Sequence, residues 1–149
     1  MPKTAGAGQQ NHGGHDASTE GGCLCGAVRY RLHGPIETFQ YCHCSRCRRA
    51  TGAGFAANLF VPPEQFHWLK GEDEVTWFEL REAAAFGTAF CRTCGCSMPR
   101  LARNGKAVKI PAGGLDTHPG QSPQRNIHWD SRAPWFEETA GLPKFSVMP

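Results

Sequence analysis

At 149 residues the chain is long enough for one domain with a real core and too short for two comfortable ones. Hydrophobic residues at 40% and charged residues at 19% make an ordinary globular balance, and nowhere do eighteen apolar residues run together, which excludes an apolar membrane-spanning helix. Eight cysteines are too many for accident and too few for a disulfide scaffold of this size, and the formal charge of +3 counts every one of them as a neutral thiol.

Residues 1–20, "MPKTAGAGQQNHGGHDASTE", are rich in Gly, Gln, Asn and His and predict a disordered tail, with His12 and His15 as solvated spacers. One lysine and no apolar stretch make this start unlike a signal peptide, so the expectation is a soluble, cytoplasmic protein. In that compartment thiols stay reduced. Eight cysteines at tight spacings therefore read as metal ligands rather than bridges.

From residue 21 onward the segments "AVRYRLH", "FQYC", "GFAANLFV", "EVTWFELR", "TAF" and "AVKIPA" are short, rich in β-branched and aromatic residues, and punctuated by Gly and Pro. They predict strands, and no long helical period appears, so the fold class is mainly β with few short helices. "SRCRRAT" is the one helix-like stretch. The last forty residues read as a loop-rich wrap in which Trp129, Trp135 and Phe136 cover the core.

The cysteines fall into three clusters: Cys23 and Cys25 in "GGCLCGAVRY", Cys42, Cys44 and Cys47 in "YCHCSRC", and Cys91, Cys94 and Cys96 in "FCRTCGCSM". Each is short of the four ligands of a closed tetrahedral zinc site, so at least one site is assembled from distant segments. On an extended chain residues i and i+2 face one side, and Cys23 and Cys25 can aim both sulfurs at one ion from the start of a strand. In "CRTCG" the spacing allows a tight knuckle, with Gly95 supplying a left-handed turn. Cys23, Cys25, Cys91 and Cys94 thus form a plausible closed, structural site.

Cys42, Cys44 and Cys47 remain as three ligands with an open position, the pattern of a catalytic zinc. Cys96 leaves alternatives open: as an extra ligand it would close the second site, beside the first site it would be a spare thiol, and a single zinc with the other cysteines unliganded is a third arrangement. Two zinc ions add four positive charges and seven bound thiolates remove seven, which takes the formal +3 to about zero. Outside residues 46–49 the basic residues are scattered, which disfavours a nucleic-acid partner.

"GGCLCGAVRY", "CHCSRCRRATGA", "FCRTCGCSM", "GGLD", "NIHWDSRAPW" and "GLPKF" together resemble, in order, the glutathione-dependent formaldehyde-activating enzyme family, which also includes centromere protein V. The resemblance runs over residues 21–149 and implies a single zinc-binding domain with a β-tent fold. It implies a structural zinc on Cys23, Cys25, Cys91 and Cys94, and a catalytic zinc on Cys42, Cys44 and Cys47. At the position of Cys96 the family commonly carries a small hydroxylated residue, so the cysteine is a departure.

The implied reaction joins a small-molecule thiol to an aldehyde: glutathione, the co-substrate, and formaldehyde give S-(hydroxymethyl)glutathione, the reverse being a carbon-sulfur lyase step. Arg46, Arg48 and Arg49 can offset thiolate charge, and Arg48 or Arg49 can receive a glutathione carboxylate. His43, between two ligands, should point away from them on a strand, Asp116 sits in the "GGLD" turn, and His128 is a candidate substrate group. Two alternatives stand beside this reading: a zinc enzyme of the same fold acting on another small electrophile or thiol adduct, and a non-catalytic zinc module that binds a macromolecule. The oligomeric state does not follow from the sequence.

Overall fold

The computed structural model describes residues 18–148, so residues 1–17, with His12 and His15, lie outside the described residues. The architecture is mainly β, as expected. In chain order the strands are β1 (Ser18–Gly22), β2 (Arg29–His33), β3 (Thr38–Cys42), β4 (Ala56–Val61), β5 (Phe66–Lys70), β6 (Val75–Glu79), β7 (Gly87–Cys91), β8 (Arg100–Leu101), β9 (Val108–Pro111) and β10 (Arg125–Ile127). A single α-helix among the described residues, α1 (Ser45–Thr51), follows β3. The tail expected to extend to Glu20 is corrected at its end: Ser18–Glu20 belong to β1, which pairs along its whole length with β2.

Three sheets result, ordered β1-β2-β5, β10-β3-β4-β9-β8 and β6-β7. All pairings are antiparallel except β10 with β3. Alternation explains the main core. Tyr30 and Leu32 of β2, Phe39 of β3, Leu59 and Val61 of β4, and Val108 and Ile110 of β9 turn to one interior. The intervening residues of β3, β4 and β9, among them Gln40, Cys42, Asn58 and Lys109, share the opposite face of the central sheet. That second face carries the chemistry described below.

β1 sits where only glycine fits. A Cβ at Gly21 would lie 2.4 Å from the Gly114 carbonyl oxygen and 2.6 Å from the Tyr30 ring. Gly21 also bridges to Leu115. Gly21→Ala should cost about 2 kcal/mol through this overpacking, read as a fall of about 4–8 °C in Tm by calorimetry.

Candidate metal centres

The sulfurs of Cys23, Cys25, Cys91 and Cys94 all lie within 4.8 Å of one another. Cys23 and Cys25 reach this point from the turn between β1 and β2, not from the strand itself as their spacing suggested. The turn closes through Cys23 N–H to the Val28 carbonyl at 3.1 Å and Gly26 N–H to the Cys23 carbonyl at 3.1 Å. The Val28 N–H donates to the Cys23 sulfur at 3.2 Å. Opposite them, Cys91 ends β7, and Gly95, with φ 72°, turns the chain back so that its N–H meets the Cys91 carbonyl at 2.8 Å.

A tetrahedral zinc with bonds of about 2.3 Å separates its sulfur ligands by about 3.8 Å. Cys25 and Cys91 are 3.8 Å apart and Cys23 and Cys25 are 3.5 Å apart, so the four-cysteine group fits such an ion. The Cys96 N–H, with that of Cys25, holds the Cys94 thiol down to about 6. Against the lowering pull of the Ala27 N–H, the crowding Cys23 thiol and burial push Cys25 up to about 12. Sulfurs this close cannot all shed their protons without a cation among them. The cluster is also part of a second core, with Val28, Val75, Ala89 and Met98, which joins the β1–β2 turn to β6 and β7.

Cys42, Cys44 and Cys47 form the other group, again with all three sulfurs within 4.8 Å. Cys42 is the last residue of β3 and Cys44 the N-cap of α1, its sulfur accepting the Cys47 N–H at 3.4 Å. Burial pushes the Cys42 and Cys47 thiols up. At Cys44 burial acts the same way, but the N–H groups of Cys47 and Arg46 and the neighbouring thiols outweigh it and bring the thiol down. Among the described residues no fourth Cys, His, Asp or Glu atom joins this group. It faces instead a groove of about 490 Å³ walled by Arg46, residues 84–86, His128 and Ser131.

Cys96 joins neither group. It packs at the rim of the first cluster, its backbone carbonyl accepting the Cys91 N–H at 2.9 Å. His43 turns away from the sulfurs, as expected. It is fully buried, bonded through Nε2 to Asn126 Oδ1 at 2.9 Å, with the rings of Trp129 and Phe136 packed near-perpendicular to it. These two aromatics therefore brace the strand end between the ligands, while Trp135 is exposed.

Arg48 is tied by Nε to the His43 carbonyl at 3.2 Å, and Arg49 lines a neighbouring hollow with Arg46 and Phe86. Asp116 is bound on both carboxylate oxygens by Arg29, which holds its carboxyl below the usual range and commits it to the β1–β2 sheet. His128 departs from the end of β10 with φ 54°, the left-handed region that few residues with a side chain enter, and so stands over the groove.

Sequence reasoning passed over Lys109, Asn58 and Arg100, which line a cavity of about 240 Å³ against Cys42 and Cys47. The available signal was a lysine between Val108 and Ile110: in a strand whose neighbours face the core, it must face the other side of the sheet.

The fold and its clusters define a small β domain with one closed and one open cysteine group of zinc-ligand geometry. The chain belongs to the glutathione-dependent formaldehyde-activating enzyme family, whose profile matches residues 18–131. A Halomonas elongata protein provisionally named as a glutathione-dependent formaldehyde-activating enzyme is 52% identical over 42 residues, a stretch that spans 27% of each chain. The crystal structure of a Rhodobacter sphaeroides protein superposes with a TM-score of 0.54 at 25% identity, covering 70% of this chain and 97% of that one. No described helix is long and apolar enough to cross a membrane.

Proposed function

We propose that this protein is a zinc-dependent carbon-sulfur lyase that forms or cleaves S-(hydroxymethyl)glutathione. The observation that carries this reading is the three-cysteine group that ends β3 and caps α1 while facing a groove large enough for a small thiol and an aldehyde. In the forward direction the thiol sulfur bonds to the aldehyde carbon and the thiol proton ends on the former carbonyl oxygen. No redox partner is needed.

Zinc, when bound by Cys42, Cys44 and Cys47, supplies the positive charge that keeps a thiol sulfur deprotonated at neutral pH. The remaining work falls to the chain. β3 and α1 hold the three sulfurs on two rigid elements, and the Arg48 bond to the His43 carbonyl fixes the link between them. Arg46 and Arg49, on the exposed side of α1, are placed to draw in a carboxylate of glutathione, with Arg48 contributing through its remaining N–H groups. The four-cysteine group takes a second, structural zinc. Residues 18–148 act as one domain, and eight free thiols suit the reducing cytoplasm.

Native mass spectrometry of the zinc-loaded protein, with and without glutathione, tests this. The expected result is two zinc ions per chain and one glutathione adduct. Two zinc ions and no adduct at millimolar glutathione would remove glutathione as the thiol.

A further inference from the structure

We propose that the cavity beside the three-cysteine group is a subsite for a carboxylate of the substrate, received by Lys109 and Asn58 with Arg100 behind them. The inference rests on the preceding reading of that group as the reacting site, and adds that the reactants bring a negative charge close to the new carbon-sulfur bond.

The register of the sheet makes the case. Arg100 of β8 lies directly opposite Lys109 of β9, a pairing that puts their Cβ atoms about 5 Å apart, where like charges repel. Arg100 is 5% exposed, so this repulsion is little screened. Glu79 meets Arg100 at 3.3 Å, but its side chain is 53% exposed and it is shared with Arg103 at 3.1 Å. Lys109 has no carboxylate within 4.0 Å among the described residues. Its ammonium makes one long bond, 3.4 Å to the Gly87 carbonyl, and lies 5.9 Å from the centre of the Phe86 ring.

A three-thiolate group holding a divalent ion carries one net negative charge. Arg100 and Arg103 share the one carboxylate of Glu79, and the arginines of α1 also stand near the three-cysteine group, so of the two cations that line the cavity of about 240 Å³, Arg100 and Lys109, the lysine has no anion of its own. Asn58 adds a second uncommitted group. Its side chain is buried against this cavity, and among the described residues it makes no side-chain hydrogen bond. Formaldehyde, with one carbon and no charge, uses none of this. A carboxylate does, and a charge-assisted bond to a half-buried ammonium is among the stronger polar contacts.

The carboxylate has two sources: the thiol partner, as in glutathione, or a carbonyl partner of the 2-oxo acid class. Titration calorimetry on the zinc-loaded full chain separates them, using glutathione, its diethyl ester, glyoxylate, and cysteamine as a thiol without a carboxylate. Lys109→Met should weaken at least one carboxylate probe by about tenfold or more, Lys109→Arg should largely restore it, and cysteamine should bind all three proteins alike. A loss confined to glyoxylate assigns the subsite to the carbonyl partner. A loss confined to glutathione, matched in the unmodified protein by weaker binding of the ester, assigns it to the thiol.

Asn58→Asp, which sets a negative charge on the same wall and leaves the lysine in place, should weaken the same probe. If neither glyoxylate nor glutathione binds the unmodified protein, or if Lys109→Met and Asn58→Asp bind both as well as it does, the subsite is overturned. Cysteamine failing to bind while glyoxylate binds in a Lys109-dependent way would remove the thiol-accepting reading and leave the subsite standing.

Discussion

Cys91→Ser should yield a chain without a cooperative fold at 25 °C. Cys91 is fully buried at the end of β7, where its sulfur contacts Cys25 across 66 residues of sequence. The core around it is thin: Val28, Val75, Ala89 and Met98 are its other buried apolar members, so most of what joins the β1–β2 turn to the β6–β7 pair is the cysteine group itself. A structural zinc contributes on the order of 10–16 kcal/mol of apparent binding energy, against a total stability of about 5–15 kcal/mol for a domain. Serine offers a harder, less readily ionised donor and leaves three thiols packed without their partner. Near-ultraviolet circular dichroism should lose its fixed aromatic signal, and a strong chelator should produce the same state from the unmodified protein. A Cys91→Ser protein that melts within a few degrees of the original would show that the four-cysteine group is not what holds the two parts together.

The parts of this molecule that were legible in advance are those encoded locally. Strands β2, β3, β4, β6, β7 and β9 announce themselves as short runs rich in β-branched and aromatic residues between Gly and Pro, and a glycine directly after Cys94 announces the left-handed turn that Gly95 adopts. β1 escaped because "STEGG" has no apolar residue; it is a strand only because β2 and the Gly114 turn lie against it. β8 and β10 have only two and three residues, and β5 is an edge strand with no fully buried residue, so in all three the pairing partner decides and propensity does not.

The site divides along the same line. Spacing brings Cys42, Cys44 and Cys47 into one group, because a turn joins Cys44 and Cys47 whatever else the chain does, but it left the place of Cys96 open. It misplaced Cys23 and Cys25 on a strand, since the bonds that make their turn run to Val28 and Gly26. Lys109, Asn58 and Cys42 share a face only through the registers of β3 on β4 and β4 on β9, a relation between residues up to 67 positions apart that no local pattern carries.

Cys44→Ser provides the contrast with Cys91→Ser, because the same chemical change meets a different structural demand. Cys44 is half-buried and caps α1, accepting the Cys47 N–H through its sulfur. Serine is among the best residues at that position, and its hydroxyl accepts the same kind of bond, so the start of the helix survives the substitution. Cys42 and Cys47 keep their places in a small cluster with Ala56, Phe86 and Ile127. What goes is one of three thiolates. Changing an outer-shell partner of a metal ligand already costs about 10–100-fold in affinity or activity, so removing a ligand should cost more than 100-fold and abolish the glutathione adduct. Native mass spectrometry should count one zinc in place of two. The Tm should fall by only a few degrees, the share that zinc at this site lends through mass action. Inactivity with a retained fold would establish that the two cysteine groups have separate duties, one holding the chain and one holding the reactants. Equal unfolding by both substitutions would make the second group structural as well, and would leave the groove beside it without a chemical role.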